Sequence, residues 1–322
     1  RMQLHISGLN HRSMRVRHPS FSQLTRRWLS ELPPLRPWRA VVRKMSKSAW
    51  HELSHAGLVD AKIFSRTESG HRVDVYVPDD VSSHTPILVM HDAKNLFWPE
   101  HSTMGSTWEV IDVVQGMPNR PIVLGVWGLI DDSVPGIRYF ELAPQRVLDA
   151  QPDLWGSLLD LAQIKPHDLL GDAYHDMIAH VLIPEIAAEF GLGLERNRTA
   201  ICGSSMGGLT SLYGASRYPD VYGTVLSLST HWAYWAPEFI DRVLELLPVH
   251  PRPRVWIDRG TEELDALYEG LHERAADWLR LNGWDSPELL QARVYEGTNH
   301  SEVVWSQRLA EVIEWWLHGV PA

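Results

Sequence analysis

Residues 199–209, TAICGSSMGGL, constrain the fold more than any other stretch of the chain. Ala200, Ile201 and Cys202 form an apolar lead-in, and Gly207, Gly208, Leu209, Leu212 and Tyr213 continue at helical spacing. The segment therefore reads as a buried strand, a sharp turn and a helix, with a serine at the apex. Gly203-Ser204-Ser205-Met206-Gly207 satisfies the pattern GxSxG, in which glycines let the backbone turn tightly enough to hold the serine oxygen exposed. Ser205 is the candidate nucleophile, and Ser204 falls outside that frame. A glycine-rich strand-to-helix turn with no chemistry would share these residues, so the partners available to Ser205 decide the reading.

The rest of the chain supplies the sheet that such a turn needs. AKIFSRT and HRVDVYVP alternate apolar and polar residues about Glu68-Ser69-Gly70, which predicts a β-hairpin at a sheet edge. PILVMHD and PIVLGVWG are continuous apolar runs of the kind that central parallel strands show. Helical spacing at Ile178, Val181, Leu182, Ile186 and Ala187 precedes the turn segment. VYGTVLSLS, PRVWID and LLQARVYEG follow it as further strands, and VVWSQRLAEVIEWWL reads as a closing helix. Alternating strands and helices predict an α/β fold, a mostly parallel sheet with helices on both faces.

Charge separates the first residues from the remainder. Residues 1–47 carry eleven Lys and Arg against the single acid Glu31, a balance of +10 in a chain whose total is −10. With LPPLRPW and little periodicity, residues 1–48 read as a basic, poorly ordered arm, and 49–322 as a single catalytic domain. An anionic surface is the alternative partner for that arm. The acidic remainder and a sequence pI near 5.9 argue against a nucleic-acid footprint for the chain as a whole. The single cysteine, Cys202, excludes an internal disulfide framework and a cysteine-rich zinc site, and reads as a small core residue. No apolar run reaches the length of a membrane span, and no signal peptide is seen, so the expected location is cytoplasmic. Neither metal nor cofactor is expected, and the oligomeric state is not legible.

A lone hydroxyl is a weak nucleophile at neutral pH and needs a base. Among seventeen histidines, His300 is the candidate, because it follows the strand LLQARVYEG in the short loop Gly297-Thr298-Asn299 before the closing helix. His91 and His231 follow other strands and break the chain order serine, acid, histidine. The loop after VWID offers Glu262, Glu263 and Asp265 as the carboxylate that would orient the imidazole.

MHDAKNLFW at 90–98, GSSMGG at 203–208, STHW at 229–232, IDRGTEELDALYE and GTNHSEVVW together resemble one esterase family of α/β-hydrolases. That family takes in enterochelin esterases, S-formylglutathione hydrolases, feruloyl esterases and mycolyltransferases. The resemblance covers roughly residues 60–318 in the right order; it departs at Ala93-Lys94, where relatives commonly read Gly-Gln. It implies the α/β-hydrolase fold and a serine carboxylic-ester hydrolase acting through an acyl-enzyme on a small-molecule ester. An acyltransferase using the same groups, or a binding module that keeps the fold, are the alternatives. GTEELDA satisfies both family alignments of the acid, one falling on Glu263 and the other on Asp265; the match through Tyr268 and Glu269 selects Asp265. The implied oxyanion donors are the backbone N–H groups of Met206, just after the nucleophile, and of Lys94, by its match to the mycolyltransferases. Trp232, with Trp98, Trp108 and Trp235, lies in or near the motif loops and is a candidate wall for the acyl group.

Overall fold

The structure, a computed structural model, describes residues 48–129, 136–158 and 169–320. The basic arm read over residues 1–47 lies outside the described residues. Among the described residues nine strands form one sheet: β1 (His51–Leu53), β2 (Ala61–Glu68), β3 (His71–Pro78), β4 (Ile87–His91), β5 (Ile122–Val126), β6 (Thr199–Ser204), β7 (Thr224–Leu228), β8 (Arg254–Gly260) and β9 (Leu290–Tyr295). Their order is β1-β2-β3-β5-β4-β6-β7-β8-β9. The strands from β5 across to β9 run parallel, whereas β1, β2 and β3 are joined antiparallel at the other side.

Side-chain alternation along the central strands decides the layering. Ile87 and Val89 of β4, Ile201 of β6, Val225 of β7 and Val255 and Ile257 of β8 belong to one buried cluster. Their neighbours Leu88, Met90, Ala200, Cys202, Leu226, Leu228 and Trp256 belong to the opposite one. Strands with two apolar faces must be covered on both, which is why the central runs read as continuously hydrophobic. The cover comes from α1 (Val110–Gln115), α2 (Ile137–Leu142), α3 (Gln145–Ala150), α4 (Gly171–Met177), α5 (Ile183–Phe190), α6 (Met206–Arg217), α7 (Phe239–Leu244), α8 (Leu271–Leu281) and α9 (Glu302–His318). Helices α1 and α9 close the Cys202 face; α2 through α8 close the other. Burial pushes the Cys202 thiol up, away from its reactive thiolate form, in keeping with a small core residue.

The predicted hairpin is present, with Ala61 to Glu68 paired in register against Pro78 to His71. It is not the edge, however. The short strand β1 pairs outside it, and Ser48 bonds to Thr67 through both its backbone N–H and its hydroxyl. Three residues, HEL, two of them exposed, carry too little pattern to announce a strand.

Candidate active site

Chain direction gathers the candidate residues at one margin of the sheet. Asp92 follows β4, Ser205 follows β6, Ser229 follows β7, Asp265 follows β8 and His300 follows β9, all at the carboxyl ends of parallel strands. Open α/β sheets place their binding sites at that margin.

Ser205 occupies the turn between β6 and α6 at φ 56°, ψ −125°, a conformation that costs a non-glycine residue about 1–3 kcal/mol. Neighbours hold it there: its N–H donates to the Leu228 carbonyl at 3.0 Å, and its carbonyl accepts from the His231 N–H at 3.2 Å. The glycines explain how the turn is this tight. A methyl group on Gly203 would lie 2.6 Å from the Gly207 backbone, and one on Gly208 would lie 2.5 Å from the Ser227 hydroxyl. Ser204 is the last residue of β6 and is buried.

The acid and base loops are stitched to one another. Thr261 and Glu262 donate their N–H groups to the Thr298 carbonyl, both at 3.0 Å, and the Gly297 N–H donates to the Thr261 hydroxyl at 2.9 Å. Gly260 permits this approach, since a methyl group there would lie 2.2 Å from the Thr298 carbonyl oxygen. Asp265 opens a short 3-10 turn and is fully buried; its Oδ1 faces His300 Nδ1 at 2.5 Å. Oδ2 accepts from the Gly260 N–H and the Ser229 hydroxyl, each at 2.6 Å. Burial by itself would raise the Asp265 pKa, but His300 and these donors outweigh it and hold the carboxyl below its usual range. Glu262 and Glu263 are exposed.

The Tyr268 hydroxyl ties the two sides together. It is within hydrogen-bonding reach of the Ser205 side chain, lies 2.9 Å from His231 Nδ1, and its ring centroid is 5.9 Å from that of His300. Desolvation lowers the His231 pKa to about 3 and that of His91, bonded to the Tyr174 hydroxyl at 2.7 Å, to about 4. Both rings are thus held neutral, and neither has a carboxylate on a ring nitrogen as His300 does.

Met206 and Lys94 stand in the first turns of α6 and of the 3-10 helix Ala93–Asn95, where backbone N–H groups lack intrahelical acceptors. The two turns abut: a methyl group on Gly207 would lie 3.3 Å from Asp92 Oδ2 and 3.4 Å from His91 Cβ. Trp232 is only 2% exposed and packs in the larger core cluster. Trp108 lies against Trp305 and Trp235 stacks on Phe239, so of the four tryptophans only Trp98 is half-buried. Arg138 and Glu141 do not pair with one another. Arg138 binds Asp92, and Glu141 binds His71.

Sequence reasoning gave no role of their own to Tyr268, Ser229 or Arg308, although the first two lie within the motif stretches IDRGTEELDALYE and STHW. Arg308 left one signal, a lone cation among Trp305, Leu309, Val312 and Ile313 on the buried stripe of α9.

A family model described as "Putative esterase" matches residues 165–315. The iron(III) salmochelin esterase of Escherichia coli O6:H1 (strain CFT073) is 26% identical over 204 residues, which is 61% of this chain and 40% of that protein. The chain thus spans about two fifths of the curated relative it matches. The enterobactin esterase of Shigella flexneri, solved in the presence of enterobactin, superposes with a TM-score of 0.52 at 17% identity over 85% of this chain and 60% of that one. An enterobactin and salmochelin hydrolase does so at 0.52 and 12% identity, over 88% of this chain and all of its own. At these identities the structural likeness is one of fold, and the fold is that of the α/β-hydrolases. The stretch that matches the family model, residues 165–315, carries Ser205, Asp265 and His300.

Among the described residues no group of three His, Cys, Asp or Glu side chains is placed to hold a metal ion, and no helix is long and apolar enough to cross a membrane.

Proposed function

We propose that the chain is a serine carboxylic-ester hydrolase with Ser205 as nucleophile, His300 as general base and acid, and Asp265 as the carboxylate that fixes the imidazole. The observation that carries this reading is the 2.5 Å contact between buried Asp265 and His300 Nδ1, beside a serine held in a strained turn. An Nδ1–H donated to Asp265 leaves the Nε2 lone pair free to accept the serine proton. The Ser205 oxygen then bonds to the ester carbonyl carbon while its proton passes to Nε2. The oxyanion that forms is met by the N–H groups of Met206 and Lys94. Collapse of the tetrahedral adduct expels the alcohol, which takes the proton from His300. Water repeats the sequence on the acyl-enzyme, releasing the acid and restoring the serine.

Enterobactin and salmochelin, named in the relatives' descriptions, are the first substrates to assay, beside p-nitrophenyl esters of increasing acyl length and methyl ferulate. Ser205→Ala is expected to lose turnover by about a millionfold, and Ser204→Ala to keep most of it. A serine-directed phosphonate should add to Ser205 in the intact protein mass. Equal loss in both variants would refute the assignment of the nucleophile, and product appearing only with an added acceptor alcohol would make the enzyme a transferase.

A further inference from the structure

Behind Asp265 lies a buried polar group that the reaction scheme does not use. Ser229 Oγ has three neighbours: Asp265 Oδ2 at 2.6 Å, Arg308 Nη2 at 2.9 Å and Trp305 Nε1 at 3.0 Å. None of these four side chains is more than 4% exposed. A hydroxyl has one proton and two lone pairs, while an indole N–H and a guanidinium can only donate. Both lone pairs of Ser229 are therefore occupied, and its single proton has one acceptor left, Asp265. The polarity of this bond is fixed by elimination.

We propose that Ser229 and Arg308 are positioning residues for the catalytic acid: the doubly held hydroxyl delivers its proton to Oδ2 of Asp265 and so reserves Oδ1 for His300. The proposal rests on Asp265 and His300 being the acid and base of the triad. With Gly260 donating to the same Oδ2 at 2.6 Å, both lone pairs of that oxygen are taken and the carboxylate cannot rotate. Ser229 is itself fixed from a second side. Its φ is 42°, and its N–H donates at 2.8 Å to Asp258 Oδ1, which also accepts from Arg308 at 2.7 Å. The other oxygen of Asp258 takes the Trp256 indole N–H at 2.9 Å. Arg308 thus bridges two carboxylates, Asp258 on β8 directly and Asp265 in the segment after it through Ser229, with the Tyr295 ring 4.7 Å from its guanidinium. The charged and titratable groups facing Asp265 are then His300, Tyr268, Arg308, Asp258 and the buried His272. Arg259, its near neighbour in sequence, is turned away to Glu273 at 2.7 Å.

The arrangement makes a prediction that simple packing does not. Removing the hydroxyl takes one donor from the Asp265 carboxylate, whose charge then holds the protonated imidazole more strongly. The acid limb of the kcat/KM profile should therefore move to higher pH by about one unit in Ser229→Ala, with kcat about tenfold lower. Ser229→Gly, which suits the positive φ, should show the same shift if the alanine variant does not fold. Arg308→Gln, which removes the cation and its hold on Ser229, should move the acid limb in the same direction. Asp265→Asn, measured alongside, separates the two levels of the argument. If it loses about ten-thousandfold in turnover while the acid limbs of Ser229→Ala and Ser229→Gly coincide with that of the wild type, the triad stands and the positioning role is overturned. If Asp265→Asn stays within a few-fold of wild type, both fall.

Discussion

Arg138 grips Asp92 side-on, with Nε 2.7 Å from Oδ1 and Nη2 2.6 Å from Oδ2, across 46 residues of sequence. Two parallel bonds of this kind fix direction as well as distance. Asp92 needs that grip, because it stands at φ 54°, ψ 45° in the turn that carries Lys94, with its carboxylate against Gly207 of α6. The pair clamps together α2, the turn after β4 and the first turn of the nucleophile helix.

Burial alone would raise the Asp92 pKa, but the Arg138 charge and its hydrogen bonds outweigh burial and hold it below the usual value. A carboxyl depressed in the folded state stabilises the protein above its unfolded pKa, about 3.9, and stops doing so as pH falls through the folded value. Asp92→Asn should therefore cost about 2 kcal/mol at pH 7, and the gap to wild type should close as the pH falls below about 4. Urea denaturation across that range measures it. A gap that does not depend on pH would mean the ion pair adds no stability of its own.

Three carboxylates within four positions competed for the role of acid. Glu262 and Glu263 are exposed, whereas Asp265 is buried against His300. We expect Asp265→Asn to lower turnover about ten-thousandfold and Glu263→Gln to leave it within a few-fold of wild type. The reverse order of effects would move the acid to Glu263.

The glycines of the turn are not equivalent. A methyl group on Gly203 would meet Gly207 backbone atoms at 2.6, 2.7 and 2.9 Å, none of which can move without displacing α6. One on Gly207 would meet only Asp92 Oδ2 at 3.3 Å and His91 Cβ at 3.4 Å. Gly203→Ala should cost about 2–3 kcal/mol of stability and Gly207→Ala under about 1. Thermal melts of the two variants compare them directly, and equal costs would contradict the packing described here.

His71, at the start of β3, and Glu141 of α2 form a buried pair at 2.5 Å, and the Leu129 N–H donates to the second Glu141 oxygen at 3.0 Å. Burial pulls the His71 pKa down, but the charge and hydrogen bond of Glu141, with help from the Glu68 and Ser69 backbone, bring it above its ordinary 6.5. A histidine raised in the folded state stabilises fully below its unfolded pKa and loses that contribution as pH rises through the folded value. His71→Gln should thus cost about 3 kcal/mol at pH 6 and clearly less at pH 9. Denaturant midpoints at the two values decide it, and a larger loss at pH 9 would reverse the sign.

How far the sequence could be read follows from which interactions are local. Strands β4 and β6 announce themselves because both faces are apolar, and the turn at Ser205 because glycines sit where no methyl fits. His300 is legible from its place between the last strand and the closing helix. The choice of Asp265 needed the family pattern, since spacing alone left three carboxylates open. Ser229 and Arg308 carry no local sign of their contact, because 79 residues separate them and only the packing of α9 under β7 and β8 brings them together. Arg138 shows the same limit: Glu141 is its neighbour in sequence, and Asp92 is its partner in space.

The placement of the proposed nucleophile after a central strand, with the proposed acid and base after the last two, has a consequence for the chain while it is being made. His300 lies 95 positions beyond Ser205, so at about 5–20 residues per second a ribosome adds it about 5–19 s later. Throughout that interval the nascent chain holds a serine with no base to activate it. The same separation offers a place to divide the protein. A cut in the loop between β7 and β8 leaves the serine on one fragment and its partners on the other, each inert alone, so that ester cleavage would report their reunion.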